Sequence, residues 1–192
     1  MKRFMILLFG LVMAVSAAPA QEAPALGASE QALLEAAFQG DLETVRSLLA
    51  SGTEVDAANA EKSTALMWGA FNGHTPVVSF LLENGAEINA LDGNGRSALQ
   101  YAASGPYVET VKLLLDKGAE VDVQGTLEGF TALMTAAAEG QLEVVRLLLE
   151  RGADPRLLDK DGDTAESFAR QKGHKAVEVL LKGSPAPTPG ED

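Results

Sequence analysis

A chain of 192 residues with a formal charge of −12 suits a single domain and offers no basic stripe to a phosphate backbone or an anionic membrane. It contains no cysteine, which excludes disulfides, a thiol nucleophile and lipid attachment to cysteine. With His74 and His174 as its only histidines, a nucleophile-and-base pair or a histidine-rich metal site lacks its parts.

At the N-terminus, Lys2 and Arg3 precede the apolar run from Phe4 to Val15, and small residues then end in Ala18-Pro19-Ala20 before Gln21. This is the layout of a secretory signal peptide, so residues 1–20 are expected to be cleaved off after Ala20. The apolar run, about twelve residues, falls short of the roughly twenty that a spanning helix needs, so no membrane association is expected after removal. Cleavage takes the charge from −12 to −14, because Lys2 and Arg3 leave and no acid goes with them. In a Gram-negative host the destination is the periplasm, with secretion as the alternative. Residues 21–29 are small and polar and are expected to form a flexible linker.

Next comes a repeat array. Thr64-Ala65-Leu66-Met67 returns as Ser97-Ala98-Leu99-Gln100, Thr131-Ala132-Leu133-Met134 and Thr164-Ala165-Glu166-Ser167, at spacings of 33, 34 and 33 residues. Gly52, Gly85, Gly118 and Gly152 keep the same beat, each after a leucine-rich run such as Val145-Arg146-Leu147-Leu148-Leu149. A unit this short cannot bury its own apolar face, so stacked neighbours share one core and leave a long surface free. Leu66 on a first helix and Val77, Val78, Leu81 and Leu82 on a second make one apolar stripe per helix. Thr64 can cap the first helix, Thr75-Pro76 starts the second, and Gly85 ends it in a left-handed turn. Glu43, Glu109 and Glu143 recur at the start of the second helix, where a negative charge suits the helix dipole better than acid–base work.

Thr-Ala-Leu, small residues, Gly-X-X-Glu-Val-Val-X-Leu-Leu-Leu and Gly-Ala-X-X-Asp, nearly complete from Thr131 to Asp154, resemble the ankyrin repeat. The resemblance implies an all-α solenoid over residues 30–183, with five helix-turn-helix units at about 30–58, 59–91, 92–125, 126–158 and 159–183, joined by β-hairpin fingers. The chain departs from the family pattern where Ala65, Ala98, Ala132 and Ala165 replace proline, where Lys62 stands in for the finger glycine seen at Gly95, Gly129 and Gly162, and where Gly125 is one extra residue. The fingers at Lys62 and Gly125 are expected to differ in shape. His74 and His174 directly follow a turn glycine, where ankyrin repeats often carry a structural histidine. Residues 184–192, alternating proline with small residues, are expected to stay unpacked.

The informative side chains are those the repeat does not require. Trp68 and Tyr101 share one slot in adjacent units, Phe38 and Phe71 share another, and Arg96 and Phe130 occupy matching finger positions, all on what the resemblance makes the concave side. With repeats stacked about 10 Å apart these side chains form a short aromatic ladder of residue types common at interface hot spots. Packing between helices is the alternative reading for Trp68 and Phe71. Leu127 and Phe130 lie in the finger lengthened by Gly125 and are apolar where loops are usually polar, so partner contact and finger packing both remain open. Asp159, Asp161 and Asp163 have calcium-loop spacing, but Thr164 and Arg170 stand where such a loop wants glycine and glutamate.

No catalytic residue, metal ligand or cofactor site is therefore expected. The resemblance implies a protein–protein interaction module of the exported bacterial type, whose relatives restrain or protect against an exported enzyme or toxin. The alternatives are an accessory factor that supports an exported enzyme such as a catalase and, less favoured, peptidoglycan or carbohydrate binding through Trp68 and Tyr101.

Overall fold

The threonine or serine at the head of the second to fifth repeats sets where the first helix of each begins. The side-chain oxygens of Thr64, Ser97, Thr131 and Thr164 accept the N–H groups of Met67, Gln100, Met134 and Ser167 and so satisfy donors that a helix start leaves open. In the computed structural model, which describes residues 26–184, ten helices follow one another in five pairs: α1 Ala28–Gln39 and α2 Leu42–Ala50, α3 Ala65–Phe71 and α4 Thr75–Glu83, α5 Ala98–Ala103 and α6 Val108–Asp116, α7 Ala132–Glu139 and α8 Leu142–Glu150, α9 Ala165–Lys172 and α10 Lys175–Lys182. The signal peptide expected at 1–20, most of the linker expected at 21–29 and nearly all of the tail lie outside the described residues. Helix α1 starts inside the segment read as linker, with Gly27 in extended conformation at its N-cap.

First helices pack on first helices and second helices on second helices, giving two layers with the core between them. Leu66, Leu99 and Leu133 take equivalent places in that core and are each 1% exposed. Val45, Val78, Val111, Val145 and Val177 line it from the second layer, and the methyls of Ala37, Ala70, Ala103, Ala137 and Ala169 let the first helices approach closely.

Three kinds of hydrogen bond tie units together, and each junction between neighbours has at least two of them. At the outer loops, Asp56 accepts the Glu87 N–H at 3.0 Å, Asn89 the Glu120 N–H at 3.0 Å and Asp122 the Asp154 N–H at 3.1 Å. At the finger tips, backbone N–H groups of Gly93, Thr126 and Lys160 donate to the carbonyls of Glu61, Asn94 and Glu128. At the head of the second helices, His74 and His174 donate through Nε2 to the carbonyls of Phe38 and Ala138 at 3.0 and 3.1 Å, and Gln141 reaches the Ser104 carbonyl. Both histidines are thus structural residues, as the repeat pattern implied. Tyr107 fills the same slot between them, and a Cβ at Gly40, Gly73 or Gly140 would come within 2.5 Å or less of the ring of His74, Tyr107 or His174.

The fingers are tight turns, and the only β pairing among the described residues is one isolated antiparallel bridge between Ala58 and Thr64. Each turn closes on a polar side chain at its start. Asn59 accepts the Ser63 N–H, Asp92 accepts those of Asn94 and Arg96, and Asp159 accepts those of Asp161 and Asp163. The spacing of Asp159, Asp161 and Asp163 therefore belongs to turn closure. The Lys62 finger keeps the common shape, contrary to expectation, because Lys62 itself enters the left-handed region at φ 59 where Gly95 has φ 75. The Gly125 finger does differ, since its closing bond runs from Gly125 N–H to the Phe130 carbonyl and spans one residue more than Asp92 to Arg96.

A left-handed Lys62 costs roughly 1–2 kcal/mol relative to an ordinary backbone, partly offset in a glycine by its larger unfolded-state entropy. Lys62→Gly should therefore raise the thermal midpoint by a few degrees, roughly what up to 1 kcal/mol gives a domain of this size. A lowered midpoint in a calorimetric scan would show that Lys62 is held there without strain.

Candidate functional site

The aromatic residues of the first two layers of repeats do meet. Trp68 contacts Phe38 edge-to-face at 5.7 Å, Phe71 at 6.1 Å and Tyr101 at 6.2 Å, while Phe38 and Phe71 run nearly parallel at 6.5 Å. The reason is register: Phe38 and Phe71 sit at the same place on α1 and α3, one helical turn beyond the slot of Trp68. Phe38 and Phe71 remain 39% and 37% exposed, and Trp68 is half-buried, so the cluster presents rings to solvent. The equivalent positions in later units are Ser104, Ala138 and Gln171, which ends the exposed ring row at α3.

Tyr101 has a different role from the one its residue type suggested. It is 8% exposed, its hydroxyl donates to Asp92 Oδ2 at 2.7 Å, and the Arg96 guanidinium lies 4.6 Å above its ring. Arg96 also pairs with Asp92 at 2.8 Å and donates to the Tyr101 oxygen at 2.5 Å. Tyr101 and Arg96 thus form a buttress that backs Trp68 and Phe71, with the Arg96 side chain half-exposed above it. Asp92, which the sequence did not single out, is the hub: its side chain is 1% exposed, and both the Tyr101 hydroxyl and the Arg96 guanidinium bond to its Oδ2. Burial alone would raise the Asp92 carboxyl, but the Arg96 N–H, the Tyr101 hydroxyl and the Arg96 guanidinium together outweigh it and hold the group below 3.8. Burial, followed by the bond to Asp92, pushes the Tyr101 phenol up to about 12.

Phe130 stands apart. It packs edge-to-face on Phe168 at 4.9 Å, and Phe168 is itself buried, four residues after Thr164 as Trp68 follows Thr64 and Tyr101 follows Ser97. That spacing was available in the sequence and marks Phe168 as part of the same series, interrupted by Thr135. Leu127 is 59% exposed at the finger tip.

Two clefts organise these residues. The first, about 650 Å³, lies between α1 and the first finger, with Leu34, Phe38 and Trp68 as its apolar wall and Glu35 and Glu61 among its polar lining. The second, about 190 Å³, brings Arg96 together with Leu127 and Phe130 between two successive fingers. Among the described residues no cluster of three or more histidine, aspartate or glutamate side chains has metal-site geometry, and no helix is long and apolar enough to cross a membrane.

The family model described as ankyrin repeats (3 copies) matches residues 33–125 and again 109–188, and the chain belongs to the ankyrin-repeat family. No curated protein matches the chain. Ankyrin repeats are protein–protein interaction modules and are generally not enzymes, which agrees with a surface built from rings and clefts.

The buttress makes stability sensitive to both ends of the pH scale. Because the Asp92 carboxyl is lowered in the folded state, its contribution is complete above pH 3.8 and disappears as pH falls below that value. Because the Tyr101 phenol is raised, its contribution is complete below pH 10 and disappears between pH 10 and about 12. Wild type should therefore lose more unfolding free energy than Tyr101→Phe over that alkaline interval in urea titrations. Equal losses would show that the phenol is not protected. Arg96→Ala, which leaves the buried carboxylate without its cation, should cost about 1–3 kcal/mol at pH 7 by the same measurement.

Proposed function

We propose that this chain is an exported ankyrin-repeat module that binds one folded partner protein in the periplasm and controls its activity, by inhibiting it or by protecting against it. Export is supported by the layout of residues 1–20, with basic Lys2 and Arg3, an apolar run and Ala18-Pro19-Ala20. Binding through the first-helix face is supported above all by one observation: Phe38 and Phe71 hold their rings in solvent against Trp68, at a helix position that later units give to Ser104, Ala138 and Gln171. An exposed apolar patch of this kind, next to the half-exposed Arg96 and the Leu127 tip, has the make-up of an interface centre with a polar rim. A stable complex needs about 800 Å² from each side, which the faces of three or four repeats supply.

A supporting role toward an exported enzyme such as a catalase uses the same surface and differs only in the sign of the effect. The glycan reading loses half of its stacking pair, because Tyr101 is buried and its hydroxyl is engaged by Asp92.

The test is affinity capture from the host's periplasmic extract with the chain from Gln21 onward, beside a Phe38→Ala/Phe71→Ala double variant whose melting curve is checked first. One protein retained by the wild type and lost by the variant is the expected outcome, and activity assays of that protein with and without the chain then give the sign of regulation. Equal retention by both would move the interface away from these rings.

A further inference from the structure

The cleft at the N-terminal end of the first-helix face combines two properties that select for charge. Its floor is aromatic: Phe38 and Trp68 meet at an interplanar angle of 79°, making a corner whose ring faces carry negative potential. Its rim is acidic: Glu35 comes from α1 and Glu61 from the first finger, so two elements hold carboxylates at the same opening. Neither carboxylate forms an ion pair among the described residues, Glu35 being bonded only to the Gln39 amide of its own helix. No lysine or arginine lines the cleft; Lys62, next to Glu61, is exposed and outside it. The helix beside it continues the bias, since residues 26–45 carry Glu30, Glu35, Asp41 and Glu43 and no basic residue at all. Of the remaining polar lining, Gln31 adds an amide oxygen that can accept a hydrogen bond from an ammonium or guanidinium, while the Asn59 oxygen is engaged by the Ser63 N–H.

We propose that this cleft receives a lysine or arginine side chain from the partner protein, its alkyl stem lying on Leu34 and the rings while its cationic head faces Phe38, Trp68, Glu35 and Glu61. This deepens, and rests on, the reading of the first-helix face as the partner-binding surface. Charge complementarity carries the choice of occupant: an anionic side chain would meet two uncompensated carboxylates, and a neutral one would use the apolar floor but leave the rim unanswered. At about 650 Å³ the cleft is large enough for a long side chain together with the backbone that carries it. The second cleft is different in kind: at about 190 Å³ it is smaller, and Arg96 lines it together with Glu128, so an incoming cation would meet an arginine there that the first cleft lacks.

The chain's single tryptophan, Trp68, reports on the site directly. Its fluorescence is followed while the protein is titrated with the blocked tripeptides acetyl-Ala-Lys-Ala-amide and acetyl-Ala-Arg-Ala-amide, with the isosteric norleucine peptide, and with tetramethylammonium chloride. A saturable change with a lysine or arginine peptide, at a midpoint about five-fold or more below that of norleucine, is expected from the cation–π contribution alone. In Glu35→Gln/Glu61→Gln, two solvent-facing changes that keep side-chain size, the advantage over norleucine should fall from the larger wild-type value to about that five-fold cation–π share, and added salt should weaken the wild-type signal more than the variant's. Equal midpoints for lysine, arginine and norleucine, no saturation by any peptide, or an unchanged preference in the double variant would each overturn the proposal. Tetramethylammonium binding more tightly than every peptide would overturn it in favour of a small cationic ligand. Peptide failure with the partner still lost from Phe38→Ala/Phe71→Ala would remove the cation and leave the binding face, whereas failure of both removes the face itself.

Discussion

Everything in this molecule depends on the inability of a single repeat to close its own core. A helix pair of this length has one apolar stripe per helix and no third element to cover them, so Leu66, Leu99 and Leu133 become buried only when the next pair arrives. Burial by neighbours sets a condition on register, because a unit that slid along the stack would lose its core contacts and its polar ties together. The side chains of Asp56, Asn89 and Asp122, the finger carbonyls of Glu61, Asn94 and Glu128, and the rings and amide of His74, Tyr107, Gln141 and His174 all cross the junctions between units. Hydrophobic burial supplies the drive, and these directional contacts decide the spacing.

A fixed spacing is what turns scattered aromatic residues into a surface. Phe38, Phe71 and Trp68 come from two different helices, yet they meet because α1 and α3 are held at one distance and one phase. The Asp92–Arg96–Tyr101 group then supports the cluster from the next repeat, with a buried carboxylate fully engaged by donors. The rings are therefore exposed without being loose. Preorganisation of this kind lowers the ordering cost that association otherwise carries.

How much of this was legible in the sequence depends on whether the information was periodic. The helix pairs, the buried leucines and the structural role of His74 and His174 repeat with the unit, so spacing alone announces them. The partnership of Phe38, Trp68 and Phe71 was also legible, since equal positions in adjacent repeats become neighbours in space. Tyr101 misled because residue type says nothing of depth: its slot is the one Trp68 occupies, but Asp92 and Arg96 of its own repeat draw it inward. Phe130 was open to either reading and proves to be packed on Phe168, a residue whose spacing from Thr164 already placed it in the series. Lys62 shows the reverse limit, for a residue that disfavours left-handed backbone adopts it here because the hydrogen bonds of the finger, Lys62 to Asn59 and Asn59 to Ser63, require that turn. Clefts are the least legible feature, being products of the distance between α1 and the first finger that no local pattern encodes.

The side chains that cross the junctions at the head of the second helices all point one way. His74, Gln141 and His174 each reach back toward the unit before, and the ring of Tyr107 closes against Gly73 in the same sense, so each junction is latched by the later unit onto the earlier one. A chain emerging from a ribosome or a translocation channel presents its earlier units first. Each new helix pair then finds its docking carbonyl already displayed, and the stack can grow in the order in which the polypeptide is delivered, while the forward-reaching side chains of Asp56, Asn89 and Asp122 are answered as each next unit arrives.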